Sequence, residues 1–381
     1  MRRLAATMLA PALALAILVA SAPAADRTSA TPTQAPLATR LDRTLNEFAR
    51  AHPAFPGVAV SVRAPGLAWS GASGVANRTT HETLTPQAPF RIASVTKTFT
   101  AAAILRLVED GKLALDDPIA THLSSSTVRL LRRGGYDVGA IRIRNLLQHT
   151  SGLFDYAATP AYETSVVSHP RHRWSRTEQL RFAMTHGKPL FPAGSNFRYS
   201  DTNYILLGEI LERRTGLGLA SALRTLVGFK RLGLTHTYLE TLEPAPARVG
   251  QRAHQYLGTT DATGFDPSFD LYGGGGLVST VDDLARFYRA LLEGDVYRKS
   301  ATLRTMLGKP YSRRPSDLGM GIFSDSIGHE RCWHHDGFWG TSVLHCPRGA
   351  VTIAITVNQA TDFDAAVQVL EAKILRMIPH P

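Results

Sequence analysis

Strand-like alternation occurs near the two ends of this 381-residue chain, and helical spacing with polar loops fills the stretch between them. Val58-Ala59-Val60-Ser61-Val62 alternates like a half-buried strand, and a second run, Leu67 to about Val75, follows across Pro65-Gly66. Far downstream come Glu330 to His335, Thr341 to His345 and Val351 to Val357. A helix flanks each group: Leu41, Leu45 and Phe48 recur at helical spacing before the stop at Pro53 to Gly57, and Phe363 to Met377 is amphipathic. Strands at both ends bury their apolar faces most simply by joining, so the spacing predicts one antiparallel sheet built from the two chain ends and flanked by helices, an α+β fold.

Two further helices adjoin that sheet. One runs from Thr96 to about Glu109, with Phe99, Ala102, Ile104, Leu105 and Val108 mostly on one side and Asp110-Gly111 as its stop. The other runs from Val281 to about Leu292, opened by Ser279 or Thr280 as a cap, with Asp283 placed for a capping box. From about Leu115 to about Gly264 the periodicity is clear only around Thr177 to Thr185, Tyr204 to Arg213 and Leu219 to Val227. The expected division is therefore 38–114 plus 265–381 for the sheet region, with 115–264 as a mostly helical insertion.

The chain opens Met1-Arg2-Arg3, continues with an apolar run from Leu4 to about Ala20, and then reads Ser21-Ala22-Pro23-Ala24-Ala25. That is the three-part layout of a secretory signal peptide, residues 1–25, followed by a Thr, Ala and Pro rich lead-in over 26–37. Pro11 and the small residues of the run weigh against a retained anchor, so the expectation is an exported protein, periplasmic or extracellular, with no membrane span after signal removal. The net charge is +11. Its cations at Arg132-Arg133, Arg142 and Arg144, Arg171 to Arg176 and Arg313-Arg314 are scattered without interleaved aromatics, which excludes a nucleic-acid partner and leaves a basic surface suited to anionic envelope polymers.

Export makes a disulfide permissible between the two cysteines, Cys332 and Cys346. If they face each other, the same antiparallel register pairs His335 with Val343 and Gly337 with Thr341, leaving Phe338-Trp339-Gly340 as a tight turn. His329, Cys332, His334, His335 and Asp336 also read as a zinc set, and Cys332, His334 and Asp336 share strand parity, but the paired spacings of structural zinc sites are missing and no metal is expected. Gly273 to Gly276 lacks the Gly-Lys-Ser/Thr ending of a phosphate loop and reads as close backbone packing.

The segment Arg91-Ile92-Ala93-Ser94-Val95-Thr96-Lys97 sets a serine at a helix N-terminus with a lysine three positions on, on the same face. A serine hydroxyl needs a neighbouring base to become a nucleophile, and the free N–H groups of a helix start favour developing negative charge. To accept that proton Lys97 must be neutral, which calls for desolvation or a nearby cation.

Two further segments stand in order behind it: Pro192-Ala193-Gly194-Ser195-Asn196-Phe197-Arg198-Tyr199-Ser200-Asp201-Thr202-Asn203-Tyr204, and His335-Asp336-Gly337. With Ser94-x-x-Lys97 they resemble the three signature elements of the penicillin-recognising serine hydrolases, class C β-lactamases, DD-peptidases and related esterases and D-aminopeptidases. Leu146-Leu147-Gln148-His149-Thr150-Ser151-Gly152-Leu153, Gly275 to Ala285 and Phe338-Trp339-Gly340-Thr341 extend the match from about Leu41 to the C-terminal helix. The resemblance implies a β-lactamase/DD-peptidase-like fold and an acyl-enzyme on Ser94, with Lys97 as its partner and Tyr199 sharing proton transfer. It implies that His335 closes the site from the strand side, that the N–H groups of Ser94 and Phe338 form the oxyanion hole, and that no cofactor is used. His149 falls in a structural loop of the family and carries no chemistry in this reading.

Two departures bear on substrate. Asp201 stands where the family usually has Asn, replacing an amide donor by a carboxylate. Asp336 stands where a hydroxyl often helps bind a substrate carboxylate, and beside Gly337 the pair Phe338-Trp339 adds apolar area. With Asp201, Asp336, Gly337 and Trp339 as substrate contacts, the expectation is a DD-carboxypeptidase, D-aminopeptidase or esterase type hydrolase. Its partner is a small-molecule or short-peptide substrate, with the cell wall as one source. A true β-lactamase is the alternative, and a catalytically silent protein that captures envelope peptides or β-lactams is the alternative of another class. A second reading of Asp336 turns it away and pairs it with an arginine.

Overall fold

Alternation at the two chain ends becomes one six-stranded sheet in the structure, a computed structural model that describes residues 36–308, 318–327 and 330–378. The expected signal, nearly all of the lead-in, His329 and Arg313-Arg314 lie outside the described residues. Strands β1 (Gly57–Ala64), β2 (Leu67–Gly74), β3 (Phe323–Ile327), β4 (Glu330–Gly337), β5 (Thr341–Cys346) and β6 (Val351–Thr356) are ordered β2-β1-β6-β5-β4-β3, every neighbour antiparallel. The chain ends meet where β1 lies against β6, with Val60 opposite Ile355 and Val62 opposite Ile353. β3 has no counterpart in the sequence reading, since Phe-Ser-Asp-Ser-Ile offers only two apolar residues, at its ends.

Strand parity sorts the sheet into two faces. On the outer face, Val60, Val62, Leu344, Ile353 and Ile355 pack under α1 (Leu37–Ala51) and the C-terminal helix, joined by Leu41, Leu45, Phe48, Val367, Leu370 and Ile374. Each such side chain contributes about 1.5–3 kcal/mol on burial, which is why the two terminal helices stay on the sheet. The disulfide Cys332–Cys346 joins β4 to β5 on this face, in the register that pairs His335 with Val343 and Gly337 with Thr341. It commits Cys332, which takes that residue out of the zinc set.

On the inner face, Ala59, Val343 and Ala354 belong to the main core with α2 (Thr96–Glu109), α3 (Asp201–Thr215) and α4 (Val281–Glu293). Short helices at Ser125–Arg133, Ile143–Leu147, Pro160–Ser168, Arg176–His186 and Leu219–Leu223 precede or follow α3, and their Val128, Leu146, Leu180 and Leu223 share that core. α2 is buried on all sides from Thr96 to Leu107 rather than on one face. Its threonine hydroxyls find backbone carbonyls instead of water, Thr98 donating to Gly321 and Thr100 to Gly273, each at 2.8 Å. Thr280 caps α4 by accepting from the Asp283 N–H at 3.2 Å. The Asp283 carboxylate does not close a capping box: it accepts from the His236 N–H at 2.8 Å and the Thr237 hydroxyl at 3.0 Å. Among the described residues, no helix is long and apolar enough to cross a membrane.

Candidate active site

Ser94 sits in a single 3-10 turn, Ala93–Val95, that runs directly into α2. Ala93, just before it, has φ +43°, a left-handed conformation that costs a non-glycine residue on the order of 1–2 kcal/mol and is held here by complete burial. Strand β4 ends against this turn. A Cβ on Gly337 would lie 2.2 Å from the Ile92 carbonyl oxygen, so only glycine lets the strand end, and Phe338 after it, come so close to the serine segment.

Lys97 follows on α2 with its side chain fully buried. Its ammonium donates to Ser94 Oγ at 2.9 Å and to the Gly274 carbonyl at 2.8 Å, and it forms an ion pair with Asp201 in the first turn of α3. Three acceptors for three N–H donors is the pattern of the protonated form. Burial alone would press the lysine pKa down, but the charge of Asp201, joined by Tyr199 and Asp270, outweighs it and drives it above the ordinary value. The expectation of a neutral resting lysine is therefore corrected. Desolvation is present, but Asp201 cancels its effect.

Tyr199 stands before α3 and lines the cavity beside Ser94, with the Lys97 ammonium 5.1 Å from its ring centre, and burial raises its pKa. Its ring stacks on His149 at 4.3 Å between centroids. His149 is a buried positioning residue that the sequence left without a role. Its Nδ1 accepts from the Ser200 N–H at 3.1 Å, its carbonyl accepts from the Arg198 N–H at 2.9 Å, and burial holds it neutral, so the loops carrying the two motifs are locked together.

A cavity of about 520 Å³ opens over Ser94. Tyr199, Asp201, Phe338 and Trp339 line it, with Phe265, Phe269 and Leu257 as apolar wall. Two carboxylates that no motif announced, Asp155 and Asp270, line it as well. Burial, reinforced by the charge of Asp201, raises each to about 7, against the opposing pull of Lys97. The glycine run beside them serves close approach, as its sequence suggested: Gly273 and Gly274 turn their carbonyls to Thr100 and Lys97, and a Cβ on Gly275 would strike the Asp270 carboxylate at 2.2 Å.

Three expected contacts stand elsewhere. Asp336 is not in the cavity lining. It shares the outer face with His334, whose Nδ1 lies 3.4 Å from its carboxylate, so it is turned away and paired with a histidine rather than an arginine. Gly337 shapes the strand end without lining the cavity. His335 is on the inner face but buried behind the lining, its Nδ1 donating to the Asp336 carbonyl at 2.8 Å. Burial and then the Lys97 charge push its pKa down to about 3, so it is a neutral imidazole with an unpaired Nε2.

Comparison with known proteins agrees with this geometry. The beta-lactamase family model matches residues 45–375, and the chain belongs to that family. Over 337 residues it is 26% identical to a penicillin-binding protein of Bacillus subtilis, covering 84% of this chain and 71% of that one. It is 30% identical over 282 residues to the esterase EstB of Burkholderia gladioli, covering 68% and 70% respectively. A D-stereospecific amidohydrolase from a Streptomyces species superposes with a TM-score of 0.75 at 27% identity, covering 88% of this chain and 98% of that one. The protein is thus a serine hydrolase of the beta-lactamase family with the corresponding fold.

Proposed function

We propose that the chain hydrolyses amides or esters through an acyl-enzyme on Ser94, and that Lys97 and Asp201 act as one proton relay. The observation that carries this reading is the convergence of the Lys97 ammonium on Ser94 Oγ, Gly274 and Asp201 at the floor of the cavity. As Ser94 Oγ attacks the carbonyl carbon, Lys97 passes a proton to Asp201 and takes the Oγ proton in its place. The tetrahedral oxygen is received by the N–H groups of Ser94 and Phe338; one such donor typically contributes about 100 to 1000-fold. When the bond to the leaving group breaks, the leaving nitrogen or oxygen takes a proton through Tyr199 and Lys97. Water then adds to the acyl ester, its proton enters the same relay, and the acid departs with the Ser94 hydroxyl restored. No step calls on a cofactor.

The walls select against substrate carboxylates. Asp155, Asp201 and Asp270 open onto the cavity and Glu163 stands at its lining, so a β-lactam or a terminal D-Ala carboxylate meets like charge. Amides and esters of uncharged or cationic acyl groups with apolar side chains fit the remaining wall, in keeping with the amidohydrolase and esterase among the similar proteins. The layout of residues 1–25 and the disulfide support export to the periplasm or medium, and N-terminal sequencing of the mature protein tests this by finding, or failing to find, a start near residue 26.

A fluorophosphonate probe should label the purified protein and fail on Ser94→Ala. Amino-acid amides and short-chain p-nitrophenyl esters should be turned over, with chromogenic cephalosporins far behind. Labelling that survives Ser94→Ala overturns the acyl-enzyme assignment; efficient cephalosporin turnover overturns the account of the acidic walls.

A further inference from the structure

Four carboxylates line the cavity, Asp155, Glu163, Asp201 and Asp270, and two of them are already held. Asp201 is paired with Lys97. Asp155 accepts from the backbone N–H groups of Asp201 and Ala157, each at 3.1 Å. Asp270 and Glu163 have neither a side-chain hydrogen bond nor an ion pair among the described residues; Glu163 is exposed on the helix Pro160–Ser168, whereas Asp270 is only partly exposed.

Its place is nevertheless built. Asp270 ends the short turn Pro267–Asp270, which Asp266 opens by accepting from the Ser268 N–H at 3.0 Å. Gln179 Nε2 donates to the Ser268 and Phe269 carbonyls at 2.9 and 3.0 Å, and the Tyr162 hydroxyl donates to Phe269 at 2.9 Å. On its other side the carboxylate fills the space that a side chain at position 275 would take, so the glycine there makes room for it. A partly buried carboxylate without a partner is costly, and its withdrawal from water raises this one to about 7, with Lys97, Asp201 and Arg91 as the charges around it. Arg91 does not neutralise it by contact, because its own guanidinium is spent on Glu240 at 2.8 Å and on the Phe265 carbonyl at 2.7 Å. Beside Asp270 stand Phe269 and Trp339, which suit an organic cation carrying an apolar group better than a bare metal ion.

We propose that Asp270 binds the ammonium group of the substrate, so that the acyl donor cleaved at Ser94 is an amine-bearing amide or ester. This rests on the hydrolase reading above and adds to it a specificity-determining residue and a substrate class. The ammonium supplies the partner that Asp270 lacks, and the aromatic wall takes the side chain next to it.

The test uses the Ser94→Ala protein, which cannot turn substrate over, and calorimetric binding of phenylalaninamide against 3-phenylpropionamide, the same skeleton without the amine, near neutral pH. The amine should tighten binding by about 10 to 100-fold, the range of a charge-assisted hydrogen bond. Adding Asp270→Asn should reduce that preference to within about twofold while leaving the affinity for 3-phenylpropionamide unchanged, and Asp155→Asn should keep the preference. Equal affinity of the two compounds, including no detectable binding of either, overturns the proposal. So does a preference that survives Asp270→Asn. The first comparison needs no change at position 270, so it stands even if that variant folds poorly. Failure of the hydrolase reading appears separately, as absent fluorophosphonate labelling at Ser94.

Discussion

The polar clusters on the two sides of strand β4 draw on similar residue types and do opposite things with them. Outward, His334 lies between the carboxylates of Asp325 at 3.2 Å and Asp336 at 3.4 Å, and Ser342 donates to Glu371 at 2.7 Å. Asp325 and Asp336 keep 61% and 43% of their side chains exposed, and each group of this cluster has a partner. Inward, Lys97, Asp201, Asp155 and Asp270 also bury charge, but around a cavity, with Asp270 and His335 Nε2 left unpaired. Withdrawing a charge from water costs several kcal/mol unless it is paired, so a paired cluster holds structure together while one with unpaired groups on a cavity stores affinity for something not yet there. Exposure to a cavity, more than residue type, separates the reactive face from the structural one.

The sharpest way to break this contrast is to empty the inner cluster. Lys97→Met keeps the stem and removes the ammonium, leaving Ser94 without its relay and Asp201 as an unpaired carboxylate among two others. Turnover should fall by roughly 10⁴-fold or more, and unfolding in urea should show a loss of about 3–5 kcal/mol. A variant that stays within about tenfold of wild type would remove Lys97 from the mechanism.

Asp201→Asn sharpens the same point through pH. In the relay, the Lys97–Asp201 pair works with one shared proton, so the acidic limb of kcat/KM reports protonation of the pair as a unit. Without the carboxylate, Lys97 must lose its own proton to solvent before it can accept one from Ser94, and that limb should move to higher pH, with a loss of about 10 to 100-fold near neutrality. If Lys97 instead acts alone, removing Asp201 takes away the charge that holds it protonated, and the limb should move to lower pH. The direction of movement decides between the two.

On the outer face the corresponding change acts on stability. Burial, with the Asp336 charge adding to it, raises Glu371 to about 8 from 4.5. A carboxyl whose pKa is raised by folding binds more protons in the native state, so its contribution to stability is present below about 4.5 and is lost as pH rises through about 8. Glu371→Gln keeps the acceptor for Ser342 and removes the titration. The stability of wild type relative to this variant should fall across that window by an amount on the order of a few kcal/mol, read by urea unfolding at stepped pH. A pH-independent difference would mean that Glu371 is ionised in the fold.

Much of this contrast was legible in the sequence. The paired ends, the β4–β5 register and the shared helix face of Ser94 and Lys97 follow from alternation and spacing, because strand parity and helical turns are local rules, while Tyr199 and His335 came from the family resemblance. Parity also held the answer for Asp336: it shares a face with Cys332 and His334, away from His335. Reading it as a substrate contact followed family position over that parity. What could not be read was charge state and company. Asp155 and Asp270 are single acids in loops, brought to the cavity only by tertiary packing, and the Asp201 that was read as a substrate contact turns out to govern Lys97. One signal was available for Asp270. A glycine run without phosphate-loop endings implies that something presses on it, and at Gly275 that something is the Asp270 carboxylate.

The smallest effect belongs to Asp336→Asn, and its smallness is the test. If parity rather than motif position decides, this change should leave kcat/KM within about twofold, where the Asp201 change on the inner face costs far more. His335 keeps its hydrogen bond, because its partner is the Asp336 carbonyl and not the carboxylate. In stability the variant loses the charged contact to His334, about 1 kcal/mol, but it also removes the negative charge that raises Glu371, so the net change at neutral pH should be smaller than either part. A loss of activity beyond tenfold with the fold intact would show that the outer cluster reaches the reaction through the strand, and that the two faces of β4 work as one site.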